Sequence, residues 1–172
     1  LTELIAGSIS YAVMPDLYEN LGSSEDQQKR KIVQACYLIF LSLFGLTLIW
    51  IYISPLFLEF FVGQTYHRAN EYVPWIALAY FANAIFRIFS IFITYSKKIH
   101  YLTYSVLVSA VINIIFNFVL IKLNGTVGAA QSTLIAFSVK AGMSIYFTTR
   151  LYKMPWLLWQ QKKSLQEAKS EI

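Results

Sequence analysis

The sequence predicts an all-α protein, a polytopic bundle of transmembrane helices, and three observations carry that reading. Of 172 residues, 57% are hydrophobic and 17% aromatic while only 13% are charged, far more apolar than a water-soluble domain of this length. Continuous apolar runs of roughly 20 residues, the length that crosses a hydrocarbon core of ~30 Å, recur along the chain. The runs do not alternate, which favours helices over barrel strands, because in lipid every backbone amide must be satisfied within its own segment.

Residues 1–14 read as a truncated transmembrane helix: the chain begins at Leu1 without Met, is apolar from the start, and shows no basic region or small-residue cleavage site. A piece of a longer chain is expected. Residues 15–31 form a charged loop in which Ser23 and Ser24 precede acidic and then basic residues, the order of a capped helix start. Four complete spans follow within 32–149, at about 32–53, 72–95, 102–121 and 127–149. Between the first two, Pro55, Gly63 and Pro74 interrupt the periodicity, so an external loop is expected there, with Glu59 near the headgroups. Asn124-Gly125-Thr126 matches a glycosylation sequon, but so short a connection reads better as a tight turn. Residues 150–172 form an amphipathic tail whose Trp156 and Trp159 suit the membrane interface.

Lys and Arg number three in 15–31, two in 96–101 and five in the tail, against one each in 54–71 and 122–126. By the positive-inside rule the first three stretches, and with them the C-terminus, are cytoplasmic. The formal charge of +5 does not point to nucleic acid, because the basic residues lie between hydrophobic segments rather than on an aromatic-interleaved patch. Cys36 is the single cysteine, and His67 and His100 have no second ligand at metal-site spacing, so neither a metal nor a cofactor is expected.

Three spans carry polar stripes at helical spacing. Tyr80, Asn83, Arg87, Ser90 and Thr94 share one face of the second span; Ser105, Ser109, Asn113 and Asn117 share one of the third; Gly128, Ser132, Ala136, Lys140, Ser144 and Thr148 run along the fourth. Small and hydroxyl residues let helices pack closely, and Asn side chains bond between helices at around 1 kcal/mol each. The cations need more. Arg or Lys near a bilayer centre costs at least about 2.5 to 3.5 kcal/mol and belongs in a bundle interior or a wet cavity. Arg87 lies eight residues before Tyr95, about 12 Å of helix rise, more than a side chain comfortably snorkels. The four complete spans contain no carboxylate to pair with Arg87 or Lys140. Glu3, in the first run, is the one candidate for an ion pair or for carrying a coupling proton. An anionic cargo is the other way to satisfy Arg87 and Lys140, with Asn83, Asn113 and Asn117 as polar companions in the cavity. No catalytic constellation is present, since Glu59, Glu71 and His67 are the only acid or base groups in the external loops.

The stretch "INIIFNFVLIKLNGTVGAAQSTLIAF" at 112–137, with its Asn pair, Gly-containing turn and Gly-Ala-Ala helix start, resembles the polysaccharide flippase branch of the multidrug/oligosaccharidyl-lipid/polysaccharide (MOP) superfamily, the Wzx-type O-antigen transporters. "MPDLYENLG" and "LEFFVGQTYHRA" resemble the corresponding earlier stretches. The resemblance implies a MATE/MOP-like C-terminal lobe, roughly the last five of twelve helices, facing an N-terminal lobe of the same chain. It also implies a bacterial inner membrane location and an undecaprenyl-pyrophosphate-linked oligosaccharide as cargo, carried to the periplasmic leaflet with its lipid in the bilayer. Rival readings are a multidrug or cation extruder of the same fold, a membrane-embedded glycan enzyme, and a scaffold without transport.

Overall fold

The computed structural model describes residue 7, residues 26–62 and residues 70–151. Glu3, the Ser23–Ser24 start signal, Gly63, His67 and the tail with Trp156 and Trp159 lie outside the described residues. Among the described residues four helices are delimited, in order α1 (Asp26–Val62), α2 (Val73–Tyr95), α3 (His100–Asn124) and α4 (Thr126–Leu151). No strand occurs among the described residues. Arg30–Leu58 within α1, all of α2 and all of α3 are long and apolar enough to cross a membrane. With 26 residues α4 matches them in length, yet it is more polar, and the small polar residues Ser132, Ser144 and Thr148 are buried in the bundle.

In α1 the helix passes through Pro55 and continues to Val62, where the sequence reading places an external loop from Ser54 onward. Proline removes the N–H that would bond the carbonyl four residues earlier, here that of Ile51. The Ser54 hydroxyl donates to the Ile51 oxygen at 3.1 Å and takes over that acceptor. In lipid, where no water reaches the backbone, a neighbouring hydroxyl is what allows a proline to stay inside a span.

The other proline of that stretch starts a helix. Pro74 lies in the first turn of α2, where its missing N–H would have had no helical partner, and Tyr72 is the N-cap. At its other end, the amide and hydroxyl of Ser96 both donate to the Phe92 oxygen, at 3.1 and 3.0 Å, and the chain then turns at Lys97 with φ 57°. The connection between α3 and α4 is a single residue, Gly125, at φ 60° and ψ −141°, a conformation that disfavours a Cβ. Asn124 engages Gln131 through its amide nitrogen at 2.7 Å, closing the hairpin at the tight turn expected from the sequence.

Side-chain pairs give the helix directions. Phe40 against Phe89 and Phe44 against Phe81 make α1 and α2 antiparallel, with ring centroids 5.8 and 5.3 Å apart. Ile32, Val33, Cys36 and Leu43 of α1 pack there with Ala84, Ile88, Phe89 and Phe92 of α2 into one apolar core. The Ser109 hydroxyl reaches the Ala136 carbonyl at 2.8 Å, and Ser132 reaches Asn117, so α3 and α4 are also antiparallel. Asn83 with Lys140, and Phe89 with Thr148, advance in step, so α2 and α4 run parallel. Helix α4 lies between α2 and α3, which scarcely meet.

The α3–α4 contact is close because Gly128 permits it. A Cβ there would lie 2.7 Å from the Ile121 amide nitrogen and closer still to the Leu120 carbonyl, both of them backbone. Gly128→Ala is therefore expected to destabilise the folded protein by about 3 kcal/mol, as overpacking against a rigid neighbour does. Gly142, whose added Cβ meets nothing within 4 Å, is the internal control, and Gly142→Ala should leave the unfolding midpoint in detergent unchanged or raised. By the same assay, Ser54→Ala should cost about 1 kcal/mol by leaving the Ile51 carbonyl without its donor, and should cost nothing in a Pro55→Ala background.

Candidate functional site

The parallel arrangement of α2 and α4 turns two helix faces toward one trough. On α2, Tyr72, Ile76, Tyr80, Asn83, Arg87, Ser90 and Thr94 follow steps of three and four and so lie along one side. On α4, Thr126, Ala129, Thr133, Phe137 and Lys140 do the same.

Lys140 sits at the centre. Its ammonium donates to Asn83 Oδ1 at 2.7 Å and lies 4.2 Å from the Phe137 ring centroid and 4.6 Å from that of Phe86. A carbonyl oxygen and two ring faces are the ligands that neutral residues can provide for a half-buried cation. One turn further along α2 is Arg87, also half-buried. A Cβ at Gly7 would lie 4.0 Å from Arg87 Nη1, so the guanidinium reaches the helical backbone at Gly7. The hydroxyls next to it are turned onto their own helix, Ser90 to the Arg87 oxygen at 2.6 Å and Thr94 to the Ser90 oxygen at 2.9 Å.

In the opposite direction the trough widens. Tyr80 stands edge-on to Phe137, with centroids 6.3 Å apart. Beyond it opens a cavity of about 500 Å³ lined by Tyr72, Ile76, Tyr80, Thr126, Ala130 and Thr133 among others.

The structure thus joins Asn83 to Lys140 and puts Arg87 on the same face of α2. Asn113 and Asn117 are engaged elsewhere, on the contact between α3 and α4. Asn117 donates to Asn113 at 2.9 Å and accepts from Ser132 at 2.8 Å. Ser132 precedes Lys140 by eight residues, about 12 Å along α4, so these amides form a second polar cluster. Phe86, Phe137, Tyr72, Thr126 and Thr133 are site residues that the sequence reading does not single out. The signal was spacing: Tyr72 continues the Tyr80 stripe at steps of four, and Thr126, Thr133 and Phe137 stand at helical steps from Lys140. Among the described residues no three His, Cys, Asp or Glu side chains gather as metal ligands.

The family model for MatE matches residues 2–119, a stretch containing α1, α2 and most of α3. The chain belongs to the MatE family. This places it among membrane transporters of the MOP type, with transport rather than catalysis as the family's activity. No curated protein and no solved structure matches the chain. Within this MatE chain the matched region includes Asn83 and Arg87, while Lys140 lies beyond it.

If Asn83 holds the Lys140 ammonium in place, the two residues are energetically coupled. Asn83→Leu should destabilise by about 2 kcal/mol, the penalty of depriving a desolvated charge of its acceptor. The double variant Asn83→Leu/Lys140→Met should be more stable than the two single losses predict, by at least about 1 kcal/mol in a double-mutant cycle in detergent.

Proposed function

We propose that this MatE protein is a flippase for a lipid-linked oligosaccharide, of the polysaccharide branch of the superfamily, acting by alternating access in a bacterial inner membrane. The observation that carries the reading is the character of the α2–α4 trough: two cations, Arg87 and Lys140, on faces that contain no Asp or Glu anywhere in α2, α3 or α4. Cations retained at membrane depth mark the path of a charged substrate. The pyrophosphate of an undecaprenyl-pyrophosphate-linked cargo supplies the opposite charge, and Asn83 adds an amide. The lipid tail stays in the bilayer beside the bundle. Movement of this lobe against an N-terminal lobe of the same chain would expose the trough to each side in turn. Glu3 is the candidate partner of Arg87 when cargo is absent, and the candidate carrier of a coupling proton.

Membership of the MatE family keeps an organic-cation extruder as the second reading. The site favours the anion. The ring faces nearest the two cations, those of Phe86 and Phe137, already hold the Lys140 ammonium. Orientation follows from charge. Arg30, Lys31, Lys97, Lys98 and Arg150 lie at one end of the described bundle and Lys122 at the other, which supports a cytoplasmic C-terminus by the positive-inside rule.

The test is the amount of lipid-linked oligosaccharide left on the cytoplasmic leaflet of cells whose only copy of the full-length protein is wild type, Arg87→Ala or Lys140→Ala, at matched membrane abundance. Loss of a charge from the trough should raise that amount about tenfold or more, equivalent to at least 1.4 kcal/mol of lost cargo stabilisation. If a complete deletion strain accumulates no such lipid, the flippase reading falls; if it does and neither variant follows, the two cations have no part in transport.

A further inference from the structure

Two grooves flank α4, and their linings differ. One, of about 430 Å³, opens on the α1 side and is walled by Phe44, Leu78, Ile85, Leu134 and Ile145 with Ser138 as its one hydroxyl. The other is the 500 Å³ widening of the trough, lined by the hydroxyl-bearing residues Tyr72, Tyr80, Thr126 and Thr133 together with Ile76 and Ala130. A ligand there meets flat aromatic surface and hydroxyls together, without a formal charge.

We infer that this widening is a saccharide subsite that receives the sugars of the cargo beyond those nearest its pyrophosphate, an inference that rests on the flippase reading above. Position supports it first. Tyr80 is one turn from Asn83, which binds Lys140, so a chain with its phosphate at the cations extends directly past the Tyr80 ring. Tyr72 is eleven residues from Asn83 on the same face, about 16 Å of helix rise, room for more than one pyranose ring.

The lining supports it second. A pyranose presents an apolar face of C–H groups and a rim of hydroxyls. A tyrosine ring meets the first, and phenol and threonine hydroxyls meet the second. The size is that of a small-molecule site with a few convergent polar groups. Tyr80 is held by its edge contact with Phe137, and the Thr133 hydroxyl is tethered to the Ala129 carbonyl at 2.9 Å while its lone pairs still accept. Tyr80 remains 38% exposed and Ile76 41%, so the surface is open to a ligand. The wall against α1 offers only hydrocarbon and one hydroxyl, which is why the sugars are assigned to the other side of α4.

The assignment separates from the phosphate role because Tyr72 is remote from the cations. The experiment uses cells making one of two cargoes on the same lipid pyrophosphate, either a single N-acetylhexosamine or the complete repeat unit. Their only copy of the full-length protein is wild type, Tyr72→Ala, Tyr72→Phe or Thr133→Val, at matched abundance. Tyr72→Ala is expected to raise the complete repeat on the cytoplasmic leaflet about tenfold while leaving the single-sugar lipid within about twofold of wild type, and Tyr72→Phe, which keeps the ring and loses the phenol hydroxyl, to raise the complete repeat by a few-fold only. Thr133→Val, which keeps the shape, should raise the complete repeat by a few-fold only. Equal accumulation of both cargoes in Tyr72→Ala, or of neither, overturns the subsite and leaves the flippase standing. Absence of accumulation for both cargoes in the deletion strain overturns the flippase, and the subsite with it.

Discussion

A lysine ammonium in the middle of a helical bundle must find ligands within the bundle, and in this protein that requirement fixes how α2 and α4 lie. The spans on either side contain no carboxylate, so Lys140 takes an amide oxygen from Asn83 and the ring faces of Phe86 and Phe137. Two of those three ligands are on α2, three residues apart, and the third is on α4 itself. Asn83 and Phe86, three residues apart on one face of α2, both reach Lys140 at this register. The same register then carries the Thr148 hydroxyl to the Phe89 carbonyl at 3.2 Å and the Tyr80 ring to Phe137.

Helix α4 serves both neighbours through one device. Its polar and small residues recur every four positions, and four residues of an α-helix turn through about 400°, so the stripe advances about 40° around the helix with each step. From Gly128 to Thr148 it therefore sweeps more than half of the circumference. Its early members meet α3, where Gly128 lies against the Leu120 backbone, Ser132 against Asn117 and the Ala136 carbonyl against Ser109. Its late members, Lys140 and Thr148, meet α2. A helix flanked on two sides needs little hydrocarbon of its own, which accounts for its polarity beside the outward-facing leucines and isoleucines of α1 and α3.

What the sequence disclosed and what it did not divide along a physical line. Helical periodicity is a local property, and it locates the polar stripes of α2, α3 and α4 and singles out Arg87 and Lys140 as cations in unusual places. Which stripes face one another depends on helix direction and register, which periodicity does not contain. Periodicity accordingly does not show that Asn117 bonds Asn113 and Ser132 at the contact with α4, and Phe86 and Phe137 read as ordinary apolar positions although they hold the ammonium. Pro55 misleads for a different reason. Its breaking effect is a statement about an unmet carbonyl, and whether Ser54 meets it is visible only in the rotamer that the serine adopts.

The contacts also distinguish what can move from what cannot. The α3–α4 pair is joined backbone to backbone at Gly128, and the α2–α4 pair by a charge whose ligands come from both helices, so separating either exposes a group that lipid cannot satisfy. The core between α1 and α2 is made of apolar side chains and of the Phe40–Phe89 and Phe44–Phe81 rings. Such contacts lose little by sliding, since hydrocarbon outside the bundle replaces hydrocarbon inside it. Within the described bundle, α4 therefore ties α2 and α3 to itself by polar groups that lipid cannot satisfy, while the core between α1 and α2 is built of hydrocarbon.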